Sequence, residues 1–367
     1  MAEKSTQPSE GRSRIERLRF SFSDLGIDAL VVSNLPDILY LCGFSGSAGL
    51  LLVEHSRSTL FTDSRYTFQA RAEVSEARVS IVKHGPLAAV GSALRAMRGR
   101  TRVGYAASHL TVEQKKLLEG YSGGRVRWVP DGNVVAKLRC VKDAGELSRM
   151  KGAALAISEV FGTTLPLIRP GVTELDLAAE IEYAMRQQGA SGPAFETIVA
   201  SGPRTAWAHA RPTAKPFSKN ELVLIDCGAI LHAYCSDLTR TVFLGRPPKK
   251  VRKMYQAVLD AQEAAKQAIR PGVKAGDVDR AARVALKLYG MAAFFTHSLG
   301  HGLGLEVHEM PRLGRGVDTL LQEGMVITVE PGVYIEGLGG IRIEDDVVVT
   351  ANGAVDLTTA SREFFEL

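Results

Sequence analysis

Apolar residues follow two rhythms along the first third of this chain. In "DALVVS" (Asp28–Ser33), "AGLLLVE" (Ala48–Glu54) and "STLFTD" (Ser58–Asp63) they form short runs bounded by turn residues, which predicts strands. In "RSRIERLRFSFSDLG" and "SRYTFQARAEV" the polar and apolar positions predict helices, the first closed by Gly26. The alternation of these short elements predicts a mixed α/β domain over residues 12–137. "VPDGN" (Val129–Asn133) reads as a turn and a candidate boundary of that domain. The polar stretch before it, residues 1–11, reads as a disordered tail.

The remainder, 138–367, carries an internal repeat. "IRPGVTELDLAAEIEYAMRQQGA" starts at Ile168 and "IRPGVKAGDVDRAARVALKLYGM" at Ile269, an offset of 101 residues with eight of 23 positions identical. Each copy has a Pro-Gly turn after one helix and apolar residues at helical spacing in the next, followed by strand-like text. The pattern predicts a domain of two related α+β halves. A site built at their seam would draw residues from both.

Composition narrows the class. At 367 residues, 45% hydrophobic and 23% charged, the chain has the make-up of an ordinary globular protein of two domains. The net charge of +5 is mild, and the basic clusters "RGRTR" and "KKVRK" lack the interleaved aromatics of a single-strand nucleic-acid binder. They read as solvated loops and helix ends. The N-terminus has no apolar signal core, and no apolar window is long enough to span a bilayer. Cys42, Cys140, Cys227 and Cys235 form no CxxC pair, which points to a reducing, cytoplasmic setting.

The chemistry lies in the second domain. In "LVLIDCGAILHAYCSDLTRTVFLG", Asp226 ends one apolar run and Asp237 precedes another, with Gly228 offered as the turn of a hairpin between them. "GMVITVEPGVYI" places Glu330 at a strand end, and "GGIRIEDDVVVT" places Glu344 inside a strand, on the same face as Arg342. "THSLGHGLGLEVHE" holds His297, His301 and His308 in a Gly-rich apolar run. Taken singly, each has an ordinary explanation: turn aspartates, a surface ion pair, a packed histidine. Taken together, four carboxylates and one imidazole at apolar strand ends suit a pair of divalent ions such as Mn, Co, Fe or Zn. Two such ions can activate a water for hydrolysis.

The order Asp226, Asp237, His301, Glu330, Glu344, in "DCG…YCSDLTRT", "GHGLGLEVHE", "TVEPGVYI" and "GIRIEDDVVVT", resembles the pita-bread metallopeptidases, and within them the aminopeptidase P and prolidase branch. "LPDILYLCGFSGSAGLLLV" and "LFTDSRYTFQA" look like the creatinase-type N-terminal domain of that branch. The resemblance spans nearly the whole chain. It implies a creatinase-like α/β domain followed by a pita-bread catalytic domain.

It also implies that Asp226 is a terminal ligand of one metal, that Asp237 and Glu344 bridge, and that His301 and Glu330 complete the other. Mn is the first expectation, with Co, Zn or Fe as alternatives. Glu330 would handle the proton of the attacking water. His209, in "ASGPRTAWAHARPT", and His308 match the two catalytic, substrate-facing histidines, and His297 a further pocket histidine. Arg342 would stand beside the ligands on the substrate's side, holding neighbouring groups. Gly300 and Gly302 would let backbone and metal approach His301 closely. His209 is flanked by Ala208 and Ala210, where the branch often has Pro and Gly, which leaves the shape of the substrate pocket open.

The implied activity is removal of an N-terminal residue that precedes proline, as in an Xaa-Pro aminopeptidase. The alternative is an Xaa-Pro dipeptidase, or prolidase, which would need a dedicated cation for the free proline carboxylate. A non-catalytic peptide-binding relative is disfavoured because all five ligands are kept. Proline-containing peptides are the expected partners, without nucleic acid or membrane, and a homodimer is left open.

Overall fold

A computed structural model describes residues 13–367, so the tail expected over residues 1–11 lies outside the described residues. The chain divides into two compact units, one ending at Arg139 and one running from Cys140 to Leu367.

The first unit begins with helix α1 (Arg14–Leu25), which has a reciprocal Ser13–Glu16 cap at its start. Gly26 closes it in the left-handed region, φ 62°. Next come β1 (Ala29–Val32), α2 (Leu35–Cys42), β2 (Leu50–Glu54), β3 (Ser58–Asp63), α3 (Thr67–Glu73) and β4 (Arg78–Val82). Then follow α4 (Pro86–Ala96), β5 (Thr101–Tyr105), α5 (Val112–Ser122), β6 (Val126–Pro130) and α6 (Val134–Cys140). The strands form one mixed sheet in the order β4-β3-β2-β1-β5-β6, with β1 antiparallel to β2 and parallel to β5. The helix expected over "SRYTFQARAEV" opens with a single 3-10 turn, Ser64–Tyr66, before α3. "VPDGN" turns the chain, with Gly132 and Asn133 at positive φ, but does not end the unit, because α6 follows it.

The second unit is a duplication. Its first half holds α7 (Ala144–Thr164), α8 (Glu174–Gln187), β7 (Gly192–Pro193), β8 (Ile198–Ser201), β9 (Glu221–Cys227), β10 (Ala229–Leu231), β11 (Tyr234–Cys235) and β12 (Leu238–Leu244). Its second half holds α9 (Lys249–Ala268), α10 (Ala275–Leu288), β13 (Gly300–Gly302), β14 (Glu309–Leu313), β15 (Val326–Val329), β16 (Gly332–Ile335), β17 (Gly339–Arg342), β18 (Asp345–Thr350) and β19 (Gly353–Asp356).

The two IRPGV turns are tied down alike. Gly171 N donates to Phe217 O at 3.0 Å and Phe217 N to Val172 O at 2.8 Å. One repeat later, Gly272 N donates to Leu321 O and Leu321 N to Val273 O, both at 2.8 Å. The apolar faces of the helices lie against the sheets. Ile157, Leu177, Ile181 and Met185 share a core with Val199, Val223, Ile225 and Val242 of β8, β9 and β12. Met254, Val258, Val278 and Leu286 share another with Ile327, Val329, Ile341 and Val347. Each such side chain contributes roughly 1.5–3 kcal/mol on burial.

The hairpin expected around Gly228 is present, but its tip is elsewhere. His232 and Ala233, at φ 49° and 70°, make the turn between β10 and β11. Gly228 serves close approach instead: a Cβ there would collide with Ser236 O and with the Phe195 ring.

Candidate metal centre

Asp226 sits on the central strand β9, opposite Thr239 of β12 and Ile198 of β8. Asp237 immediately precedes β12. His301 is the middle residue of β13, and Glu330 follows β15. Glu344 lies in the two-residue break between β17 and β18, where its N donates to Thr239 O at 3.1 Å. One carboxylate oxygen each of Asp237 and Glu344 and one nitrogen of His301 lie within 4.8 Å of one another. His301 Nε2 stands 3.7 Å from Asp237 Oδ2 and 3.6 Å from Glu330 Oε1. Asp226 and Glu330 line the same cavity of about 730 Å³, with His209, His297 and His308. Ligands from both halves of the duplication thus share one cavity.

The polar atoms fit a cation. His301 Nδ1 lies 3.0 Å from Gly302 O, a pure acceptor, so Nδ1 carries the proton and Nε2 turns a lone pair toward the carboxylates. The Oδ1 atoms of Asp226 and Asp237 are buried with no hydrogen-bond partner among the described residues. Buried carboxylate oxygens in that state are costly unless a metal engages them.

The charges lead to the same point. Burial pushes Asp237 well above the usual carboxylate range, and Glu344 and Asp226 add to it. Glu330 is raised well above by burial and then by Glu344. Glu344 is pushed up to about 8 by burial and then by Asp226, against the pull of Arg342 and Thr239. Burial lowers His301 to about 4 and keeps it neutral. Such a cluster holds its negative charge only with cations among it.

Sequence reasoning missed most of the support. Thr239 Oγ1 donates to Glu344 Oε2 at 2.6 Å and accepts from Arg342 Nε at 3.0 Å. Arg240, fully buried, donates to Glu344 O at 2.6 Å and pairs with Asp345 at 2.7 Å. Asp346 Oδ2 accepts from Asp237 N at 3.0 Å. The "DLTRT" string already carried Thr239 and Arg240 at consecutive strand positions, on opposite faces. The residue pairing across the two halves was invisible.

Arg342, expected on the substrate's side, is 2% exposed and spends its guanidinium on protein. It meets Asp226 Oδ2 at 2.5 Å, Tyr334 Oη at 2.7 Å and Ala208 O at 3.1 Å. It supports the ligands and has no donor directed to a peptide. His297 is likewise engaged. Its Nδ1 donates to Ser298 O at 2.8 Å, so its Nε2 accepts from Tyr334 Oη at 2.9 Å. His297 therefore lines the cavity with both nitrogens satisfied, and burial followed by Arg342 lowers its pKa to about 4.

The His308 ring lies tilted against the His301 ring, centroids 4.3 Å apart, and burial lowers its pKa. His209 is exposed at the cavity. Gly300 and Gly302 are needed for the strands rather than for the metal: Cβ atoms there would collide with Thr328 O and Met310 O.

Arg312 is a lining residue that the sequence reading passed over. It stands directly across from His301 in the β13–β14 pair. It lines the same cavity, and its guanidinium carries no ion pair among the described residues. A Cβ at Gly314 would stand 2.9 Å from Arg312 Nε and 2.9 Å from Ser298 Oγ, so the glycine leaves the guanidinium its place.

Comparison with known proteins agrees with this geometry. Residues 148–351 match the model of metallopeptidase family M24, and residues 14–141 match the creatinase/prolidase N-terminal domain. The chain belongs to metallopeptidase family M24, in the aminopeptidase P and prolidase branch. An Xaa-Pro dipeptidase of Pyrococcus furiosus is 36% identical over 353 residues, 96% of this chain and 99% of the relative. The structure of an Xaa-Pro dipeptidase from Bacillus anthracis is similar with a TM-score of 0.92 and 35% identity, covering 96% of this chain and 99% of that one. An X-Pro aminopeptidase from Thermotoga maritima is similar with a TM-score of 0.88 and 37% identity, covering 97% and 100%. No helix of the described residues is long and apolar enough to cross a membrane.

Proposed function

We propose that the chain is an Xaa-Pro dipeptidase that hydrolyses the bond between an N-terminal residue and a C-terminal proline, in the cytoplasm. Asp226, Asp237, His301, Glu330 and Glu344 would hold two divalent ions, Mn first among them. When bound, the ions supply an activated water and polarise the scissile carbonyl. The chain's own groups do the rest. Glu330 takes the proton of the attacking water, and His308 and His209 donate to the carbonyl oxygen and the departing proline.

The observation that carries this choice is Arg312. The sequence reading favours aminopeptidase action because Arg342 is the one cation it finds for a proline carboxylate, and Arg342 is better explained as support. Arg312 removes that ground, because it lines the cavity, has no ion pair among the described residues and carries a guanidinium that can grip a carboxylate with two parallel hydrogen bonds. The pyrollidine ring of the substrate gives the bond no N–H, so peptidases that need that donor are excluded and a pocket shaped for the ring is required.

Xaa-Pro aminopeptidase action is the second reading, favoured by the cavity of about 730 Å³, which has room for residues beyond proline. The test is kcat/KM for Ala-Pro against Ala-Pro-Ala with Mn present, for the wild type and for Arg312→Met. The dipeptide is expected to be preferred. The variant is expected to lose about 10–100-fold on the dipeptide, the worth of a charge-assisted hydrogen bond, with little change on the tripeptide. A tripeptide cut as well as the dipeptide, with no effect of Arg312→Met, would make the second reading the correct one.

A further inference from the structure

A buried carboxylate outside the metal centre fastens the segment that carries His209. Glu174, in the first turn of α8, has no exposure at all. Its Oε1 accepts from Ser201 N at 2.8 Å and Ser201 Oγ at 2.9 Å. Its Oε2 accepts from Thr213 N at 3.0 Å and Thr213 Oγ1 at 2.8 Å. Arg204 Nε lies 3.3 Å from both oxygens. Ser201 ends β8 and Thr213 precedes β9, so one carboxylate clasps both ends of the 201–213 segment and a point inside it.

Arg204 extends the clasp. Its Nη2 donates to Arg211 O at 2.6 Å, and its guanidinium lies 4.9 Å over the Trp207 ring. His209 stands between these two fixed points.

The duplication shows that the frame itself does not need this carboxylate. The start of α8 is joined to the neighbouring segment by Glu174 N to Lys215 O and Leu175 N to Thr213 O, both at 3.1 Å. In the second copy, Ala275 N reaches Thr319 O at 2.8 Å and Gly276 N reaches Val317 O at 2.9 Å. The same frame therefore forms with Ala275 where the first half has Glu174. Helix capping does not explain Glu174 either, since Thr173 and Asp176 already make a reciprocal cap.

We propose that Glu174 is a positioning residue, which through Ser201, Arg204 and Thr213 sets where His209 stands at the cavity and how the neighbouring Trp207 indole is held. It governs substrate binding and leaves metal loading alone. The inference rests on the reading of His209 as a substrate-facing group.

The chain has two tryptophans, so a Trp128→Phe background leaves Trp207 as a sole reporter of the segment. Glu174→Gln replaces an acceptor oxygen by an amide donor that faces other donors. Arg204→Lys, on a half-buried side chain, loosens the clasp without touching the core. In both variants acrylamide is expected to quench Trp207 fluorescence more strongly and its anisotropy to fall. For Xaa-Pro peptides kcat/KM is expected to fall about 10–100-fold, mostly through KM, with the metal content of the wild type. Unchanged quenching in Arg204→Lys, or activity lost in step with bound metal, would overturn the proposal. If the wild type cuts no Xaa-Pro bond, the functional reading fails, and the Trp207 measurement still decides whether Glu174 holds the segment.

Discussion

Replacing Arg342 by methionine tests the electrostatic account of the centre most directly. The side chain is 2% exposed and gives its donors to Asp226 Oδ2, Thr239 Oγ1, Tyr334 Oη and Ala208 O. Methionine keeps most of the volume and removes the cation that, among the described residues, pairs with Asp226. Removing one partner of a buried ion pair costs about 3–5 kcal/mol, because the other charge is left behind. The unit that holds it runs from Cys140 to Leu367. For a domain of that size each kcal/mol moves Tm by about 2–4 °C, so a fall of about 6–20 °C is expected in chelated protein. With Mn bound the ions supply positive charge to the same carboxylate, and the fall is expected to be smaller. Metal affinity is expected to weaken by about 10–100-fold. The assay is scanning calorimetry of wild type and Arg342→Met, each with chelator and with Mn, beside a metal titration. A chelated variant that melts within about 2 °C of the chelated wild type would refute Arg342 as the countercharge of this cluster.

Chelation is expected to abolish activity and Mn or Co to restore it, and Asp237→Asn to lose at least one ion by elemental analysis; full activity without bound metal would end the metallopeptidase reading. His308→Ala is expected to lower kcat by ~10²–10³-fold with metal content intact; loss of metal instead would show that His308 belongs to the ligand set. The pH dependence of chelated protein follows from the shifted groups. Glu344 rises from 4.5 to about 8 and Asp237 and Glu330 rise too, so the folded state holds protons that the unfolded state releases, and stability is lost as pH rises through that window. His297 and His301 fall from 6.5 to about 4 and act oppositely, costing stability as pH drops below 6.5. Chelated protein is therefore expected to lose melting temperature between pH 6.5 and 8 and to recover it with Mn; a flat or rising profile there would contradict the cluster electrostatics.

What the sequence made legible was whatever local pattern governs. Gly26 ends α1 because a left-handed closing residue follows an apolar helical face, and both features sit in adjacent text. The five candidate ligands were legible because each lies at the end of, beside or within an apolar strand, where an unexplained polar group stands out. Arg312 was not, since its meaning depends on the pairing of β13 with β14, and nothing in "EVHEMPRL" shows that it faces His301 across a ladder. The partners of Arg342 and His297 were hidden for the same reason. Alternation places a side chain on a face, but only the tertiary partners, Asp226 and Tyr334, show that the donors are already taken. Gly228 was misread because a glycine near a turn serves close packing as readily as positive φ.

The seam between the two halves explains why these charges are tolerated at all. The strand that carries Asp237, Thr239 and Thr241 meets the 342–346 stretch through side chains rather than through a continuous ladder. Thr241 Oγ1 donates to Arg342 O at 3.0 Å, Thr239 Oγ1 to Glu344 at 2.6 Å, and Asp237 N to Asp346 at 3.0 Å. Arg240 closes the set from behind by pairing with Asp345, which Gln262 also reaches at 2.9 Å. Neither half alone could satisfy its own carboxylates: the first has Asp226 and Asp237 but not Arg342, and the second has Glu344 but not Thr239 or Arg240. Joining the halves supplies the missing partner to each, yet Asp226 Oδ1 and Asp237 Oδ1 still have none. Asp226 and Asp237, on the first half, line the same cavity as His301 and Glu330 of the second. Cations bound there would complete the two Oδ1 atoms and the contact between the halves together, so metal uptake would add to the stability of this unit.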